Sequence, residues 1–99
     1  MVIVIGTFVV DPDRRAEFIA ERHERMRTSR AEAGCLEYTF AADPLDPGRV
    51  LLTERWADQA ALDAHLAAPA PADAPKPAVA PKEASIVVYD VAGERRLGR

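Results

Sequence analysis

Val2 to Val10 is a nearly unbroken run of apolar and β-branched residues, which predicts a strand covered on both faces. Asp11 and Pro12 follow as an N-cap and a first helical residue, and the spacing predicts one helix from there to about Ala33, stopped by Gly34. On that helix Ala16, Ile19, His23 and Met26, with Phe18 beside them, recur three and four apart and mark the buried stripe, with Arg30 next in the series. Cys35 to Ala41 alternates as a strand, with Leu36, Tyr38 and Phe40 on one face and Cys35, Glu37 and Thr39 on the other. Asp43-Pro44-Leu45-Asp46-Pro47-Gly48 is a turn by composition, with Gly48 free to take a positive φ. It joins that strand as a hairpin to Arg49 to Trp56, where Val50, Leu52, Glu54 and Trp56 share a face. Asp58 then caps a second helix on which Leu62, His65 and Leu66 form a stripe.

After Leu66 the prolines at 69, 71, 75, 77 and 81 rule out a helix and leave a loop or an extended cover. Ser85 to Val91 is the last strand, again apolar on both faces, and the charged tail Glu94 to Arg99 is expected to fray. The order β-α-β-β-α-β predicts a ferredoxin-like α+β fold: one domain over residues 1–99, with a four-stranded antiparallel sheet and both helices on one face. Because the first and last strands are apolar on their other side too, a two-fold homodimer packed sheet to sheet is expected.

Composition narrows the function. A net charge of −3 gives no basic surface for nucleic acid, and the six arginines between Arg14 and Arg30 are interleaved with acids, in pairs such as Glu21 and Arg25. The lone Cys35 and two widely spaced histidines exclude an intramolecular disulfide and argue against a structural zinc site. The apolar start lacks a basic leader and is too short to span a membrane, so a cytoplasmic protein is expected. No phosphate loop, nucleotide-binding glycine pattern or activated-serine elbow occurs.

The run Glu32-Ala33-Gly34-Cys35-Leu36-Glu37-Tyr38, then Asp46-Pro47, Glu54-Arg55-Trp56-Ala57-Asp58, Leu62 and Ala64-His65-Leu66 resembles the antibiotic biosynthesis monooxygenase family of small dimeric α+β barrels. The resemblance covers Met1 to about Pro69, and the last strand fits it. It implies oxidation of an aromatic phenol, anthrone or quinol-like molecule by dioxygen without metal or flavin; haem degradation and isomerisation also occur on the scaffold. Thr7 stands where the haem-degrading members have an asparagine, and Ala70 where quinol-oxidising members have a second histidine. The resemblance places Trp56 on the pocket wall and His65 at a histidine frequent in the quinol-oxidising branch.

A cofactor-free oxygenase must first make an electron-rich anion of its substrate, which requires a base, an apolar cavity and a donor for the developing charge. A neutral histidine suits the first task, so His65 and His23 are the candidate bases. Trp56 can stack on a planar substrate and donate its indole NH. Glu54, on the same strand face, needs a partner if buried, and Thr7, Tyr38 and Tyr89 are candidate pocket hydroxyls. The alternative is a non-catalytic ligand-binding or structural dimer whose pocket is closed by packed side chains.

Overall fold

The computed structural model describes residues 1–98, so the last residue of the charged tail, Arg99, lies outside the described residues. Its elements are β1 (Val2–Val9), α1 (Arg15–Ala20), α2 (His23–Arg30), β2 (Cys35–Ala42), β3 (Arg49–Trp56), α3 (Gln59–Ala67) and β4 (Glu83–Asp90), with a 3₁₀ turn at Pro12–Arg14. The strands form one antiparallel sheet in the order β2-β3-β1-β4, the ferredoxin-like arrangement.

Alternation decides what each strand offers the helices. Val2, Val4, Gly6 and Phe8 of β1 lie opposite Trp56, Glu54, Leu52 and Val50 of β3, and all eight are buried beneath the helical layer. Gly6 belongs there because a Cβ would approach Leu52 Cβ to 2.9 Å. The core adds Phe18 and Met26 from the helices, Tyr38 and Phe40 from β2, Leu62 from α3, and Val79. Val79 comes from the proline-rich segment, which is an extended cover: Glu21 accepts hydrogen bonds from the backbone NH groups of Ala78 and Val79. Those two bonds hold the Glu21 carboxyl below its ordinary value.

The first helix is not continuous. It breaks between Ala20 and His23, where Arg22 NH bonds back to Ile19 O and the Arg22 guanidinium donates to Phe18 O at 2.8 Å while lying 3.5 Å over the Phe18 ring. The break leaves the helical phase intact, because Phe18, Arg22, Met26 and Ser29 follow one another at spacings of four, four and three along one face. The buried residues on that face are Phe18, Met26 and Ser29, whereas Ala16 and His23, expected on the inner stripe, lie to its side and are exposed. The ion pairs on this face are Arg14 with Glu17 and Glu24 with Arg27; Glu21 serves the proline-rich segment instead of Arg25.

Two further local expectations are corrected. Cys35 pairs with Trp56 and Glu37 with Arg55, so Leu36 is an extra residue in a β-bulge. The bulge turns Cys35 onto the face of Tyr38 and Phe40 and leaves Leu36 half exposed. On α3 the inward residues are Ala61, Leu62 and His65, and Leu66 is 70% exposed. Gly48 does not use a positive φ; among the described residues Gly34 alone does, at 81°.

Candidate functional site

Of the seven candidate residues, Trp56, Glu54, Tyr38 and His65 converge where β3 hands over to α3. Trp56 is fully buried at the end of β3, and its indole NH donates to Glu54 Oε1 at 3.0 Å, a contact available because residues two apart on a strand share a face. Tyr38 of β2 lies directly opposite Glu54. From α3, the His65 ring closes over both, with centroids 4.8 Å from Trp56 and 5.4 Å from Tyr38. The fifth member is Glu32, from the turn between α2 and β2, whose Oε1 lies 2.7 Å from His65 Nδ1.

The local sequence explains why these groups meet. Asp58 caps α3 by accepting from Ala61 NH at 2.8 Å, which starts the helix immediately after Trp56. Gly34 lets the preceding turn press against that helix start: it takes the left-handed φ, its carbonyl accepts from Ala57 NH at 2.8 Å, and a Cβ on it would come within 2.5 Å of Ala61 Cβ. His65 is one helical turn beyond Ala61, so the same close approach carries its imidazole to Glu32.

The electrostatics follow from burial. The Glu54 carboxyl, 6% exposed, is raised by desolvation, against which the Trp56 hydrogen bond and the charges of His65 and Arg25 act. Burial likewise pushes the Tyr38 phenol up to about 12, with Glu54 adding to the rise and Arg25 and a Ser29 hydrogen bond opposing it. Desolvation raises the Cys35 thiol as well, so it has no thiolate character to offer. Glu54 therefore holds its proton more tightly in the fold than in the unfolded chain. Its contribution to stability falls as pH rises from the ordinary value of 4.5 through the raised one. Glu54→Gln, which keeps an acceptor for the indole NH, is predicted to be more stable than the wild type at about pH 7 and equal to it at about pH 3. Urea unfolding at the two pH values measures this, and an unchanged difference between them would refute it.

His23 and Thr7 do not join the group. His23 is the exposed first residue of α2, off the buried line that runs through Phe18, Arg22 and Met26. Thr7 lies opposite Leu51 and Ser85, on the sheet face away from the helices. Tyr89 shares that outer face. Trp56 cannot offer its NH to a ligand in this arrangement, since Glu54 already takes it. Glu32 has a place that residue spacing did not reveal, because its partner is 33 positions away; its position at the head of the run that carries the family resemblance was the one signal in the sequence. His65 Nε2 has no hydrogen-bond partner among the described residues, and no sealed side-chain nitrogen among them lacks one, so this ring edge is open. A shallow opening lined by Arg30, Cys35, Leu36, Glu37, Tyr38 and Thr39 runs along β2 and reaches the group at Tyr38.

The comparisons agree with the fold. An uncharacterised protein of Synechocystis, sll1783, is 38% identical over 68 residues, 69% of this chain but 46% of its own length, so the chain spans less than half of that relative. Rv0793 of Mycobacterium tuberculosis, provisionally named a monooxygenase, is 35% identical over 69% of this chain and 66% of its own. Its solved structure superposes with a TM-score of 0.74 at 27% identity, over 96% of this chain and 98% of that one. A crystal structure of a provisional antibiotic biosynthesis monooxygenase from Deinococcus radiodurans covers 100% of both chains with a TM-score of 0.82 and 27% identity. The family profile described as antibiotic biosynthesis monooxygenase matches residues 1–75, and with that span and that shared fold the chain belongs to the antibiotic biosynthesis monooxygenase family.

Proposed function

We propose that this domain oxidises a flat aromatic phenol, anthrone or quinol-like molecule with dioxygen, without a bound cofactor. The observation that carries the reading is the imidazole of His65, held at Nδ1 by Glu32, flanked by Trp56 and Tyr38, and open at Nε2. In this reaction Nε2 removes a proton from the phenol or from an activated ring carbon, and the anion transfers one electron to dioxygen. The radical and superoxide combine into a hydroperoxide, which takes the proton back from His65. With an anthrone, loss of water leaves a carbonyl, so its CH₂ and one O₂ become C=O and H₂O; a quinol instead gives up two electrons and two protons, becoming the quinone while O₂ leaves as H₂O₂. His65 is the base, Trp56 and Tyr38 orient its ring, and Glu54 positions Trp56.

Oxygen uptake with a panel of anthrones and hydroquinones tests the reaction: with labelled dioxygen an anthrone is expected to retain one labelled atom in the new carbonyl, whereas a hydroquinone is expected to give unlabelled quinone and labelled hydrogen peroxide. Failure of the wild type on the whole panel would count against it, and turnover without oxygen would identify an isomerase. A second reading, a non-catalytic ligand-binding or structural dimer, is favoured by the burial of Trp56, Tyr38 and Glu54, which fill the space beneath His65 with the chain's own side chains.

The reading includes a cytoplasmic homodimer formed through the sheet. Among the described residues no helix is long and apolar enough to cross a membrane. On the face away from the helices, Ile5, Val9, Val87 and Tyr89 are between 37% and 52% exposed, and Ile3, Thr7, Leu51 and Thr53 complete the surface. An apolar sheet of that kind is covered most simply by its own copy. Light scattering is expected to give twice the chain mass for the wild type and the single-chain mass for Val87→Glu; a monomeric wild type would refute the dimer.

A further inference from the structure

We propose that Glu32 is the positioning residue of His65, fixing the imidazole as its Nδ1–H tautomer so that Nε2 carries the lone pair toward the substrate. The proposal rests on His65 being the base, and its test separates the two. A neutral imidazole has one donor and one acceptor nitrogen, and the hydrogen bond made by one determines the character of the other. Here the only partner of the ring among the described residues is the Glu32 carboxylate, an acceptor, at 2.7 Å from Nδ1. The proton is thereby drawn to Nδ1.

The backbone that carries the carboxylate is placed independently of the histidine. Glu32 NH bonds Ser29 O at 3.0 Å, Cys35 NH bonds Glu32 O at 3.1 Å, and the adjoining Gly34 carbonyl is tied to Ala57 NH at 2.8 Å. The turn is therefore fastened both to the end of α2 and to the start of α3, and Glu32 presents a preorganised acceptor to a ring that Trp56 and Tyr38 hold from the other sides. The remaining charged groups around the ring do not compete for its nitrogens: Glu54 is engaged by the Trp56 NH, and Arg25 acts on Glu54 and Tyr38 through charge alone. When Nε2 takes a proton, the resulting imidazolium lies against a carboxylate, which favours the charged product of the proton transfer.

The test is ¹⁵N NMR of the imidazole in the full chain, which distinguishes a protonated from a bare ring nitrogen without any substrate. The wild type is expected to show Nδ1 protonated and Nε2 bare in its neutral ring. Glu32→Ala is expected to revert to the Nε2–H form that free histidine favours. Glu32→Gln, whose amide oxygen still accepts from Nδ1, is expected to retain the wild-type form. An Nε2–H wild type, or a folded Glu32→Ala with an unchanged tautomer, overturns the proposal; should Glu32→Ala not fold, the wild-type spectrum alone decides. In oxygen uptake, Glu32→Ala is expected to lose about 10²-fold in kcat with KM unchanged, within the range that general-base catalysis contributes. A tautomer that follows Glu32 in a protein inactive on every phenol and anthrone would uphold the positioning role and refute the reaction.

Discussion

Replacing His65 with alanine is expected to lower kcat for phenol or anthrone oxidation by about 10² to 10⁴-fold, the range supplied by a positioned general base. The fold should survive. His65 lies on α3, whose attachment depends on the buried Leu62, on Ala61 and on the Asp58 cap, none of which the substitution touches. Alanine is also the better helix former, which offsets part of the ~1.5–3 kcal/mol that a hydrogen bond to a carboxylate contributes. A loss of rate without a loss of folded signal is therefore the signature of a base. The His23→Ala variant supplies the contrast: His23 is exposed and remote from the ring cluster, so its rate should equal that of the wild type. Equal rates for His65→Ala and wild type would remove His65 from the chemistry and favour the ligand-binding reading.

The second large effect is on stability. Trp56→Ala is expected to cost about 3–5 kcal/mol, as for other large aromatic residues removed from a core. Trp56 is fully buried, lies opposite both Val2 of β1 and Cys35 of β2, and packs on the His65 ring. Its loss opens a cavity at the junction of sheet and α3 and leaves the buried Glu54 without the indole donor. For a domain of this size each kcal/mol lowers Tm by about 4–8 °C, so the variant should unfold well below the wild type. Urea unfolding followed by far-ultraviolet circular dichroism measures this without the lost fluorophore. Trp56→Phe fills much of the volume but also lacks the NH, and its deficit should shrink at acid pH as Glu54 becomes protonated. A Trp56→Ala variant within about 1 kcal/mol of the wild type would mean that the site collapses around the missing ring.

The legible parts of the chain are those in which a local rule had no competitor. The Asp58 cap, the β2–β3 hairpin, the alternation along β3 and the absence of a helix in the proline-rich segment are each dictated by a few neighbouring residues, and each is present. Gly34 takes its left-handed φ, but the helix expected to reach Ala33 ends at Arg30 with Ala31 as its C-cap. Thr7 was misplaced because β1 is apolar at nearly every position and alternation cannot state its phase. Gly6 held that information, since it sits where Leu52 leaves no room for a Cβ. His23 was misplaced because a three-four stripe can be drawn through Ala16 or through Phe18. The structure takes the line through Phe18, where the Arg22 guanidinium lies on the Phe18 ring and Val79 joins the core beside them.

By itself, then, the sequence determined the order of elements, the antiparallel sheet with helices on one face, and the meeting of Trp56 with His65 across a strand-to-helix turn, because short-range backbone preferences and side-chain periodicity govern all three. Only the tertiary structure decided the helix phase, the bulge at Leu36, the exclusion of His23 and Thr7, the capture of the Trp56 NH by Glu54, and the contact of Glu32 with His65. Each of these is a competition among groups brought together from distant positions, and the outcome depends on packing and desolvation in the assembled core, which no local pattern encodes.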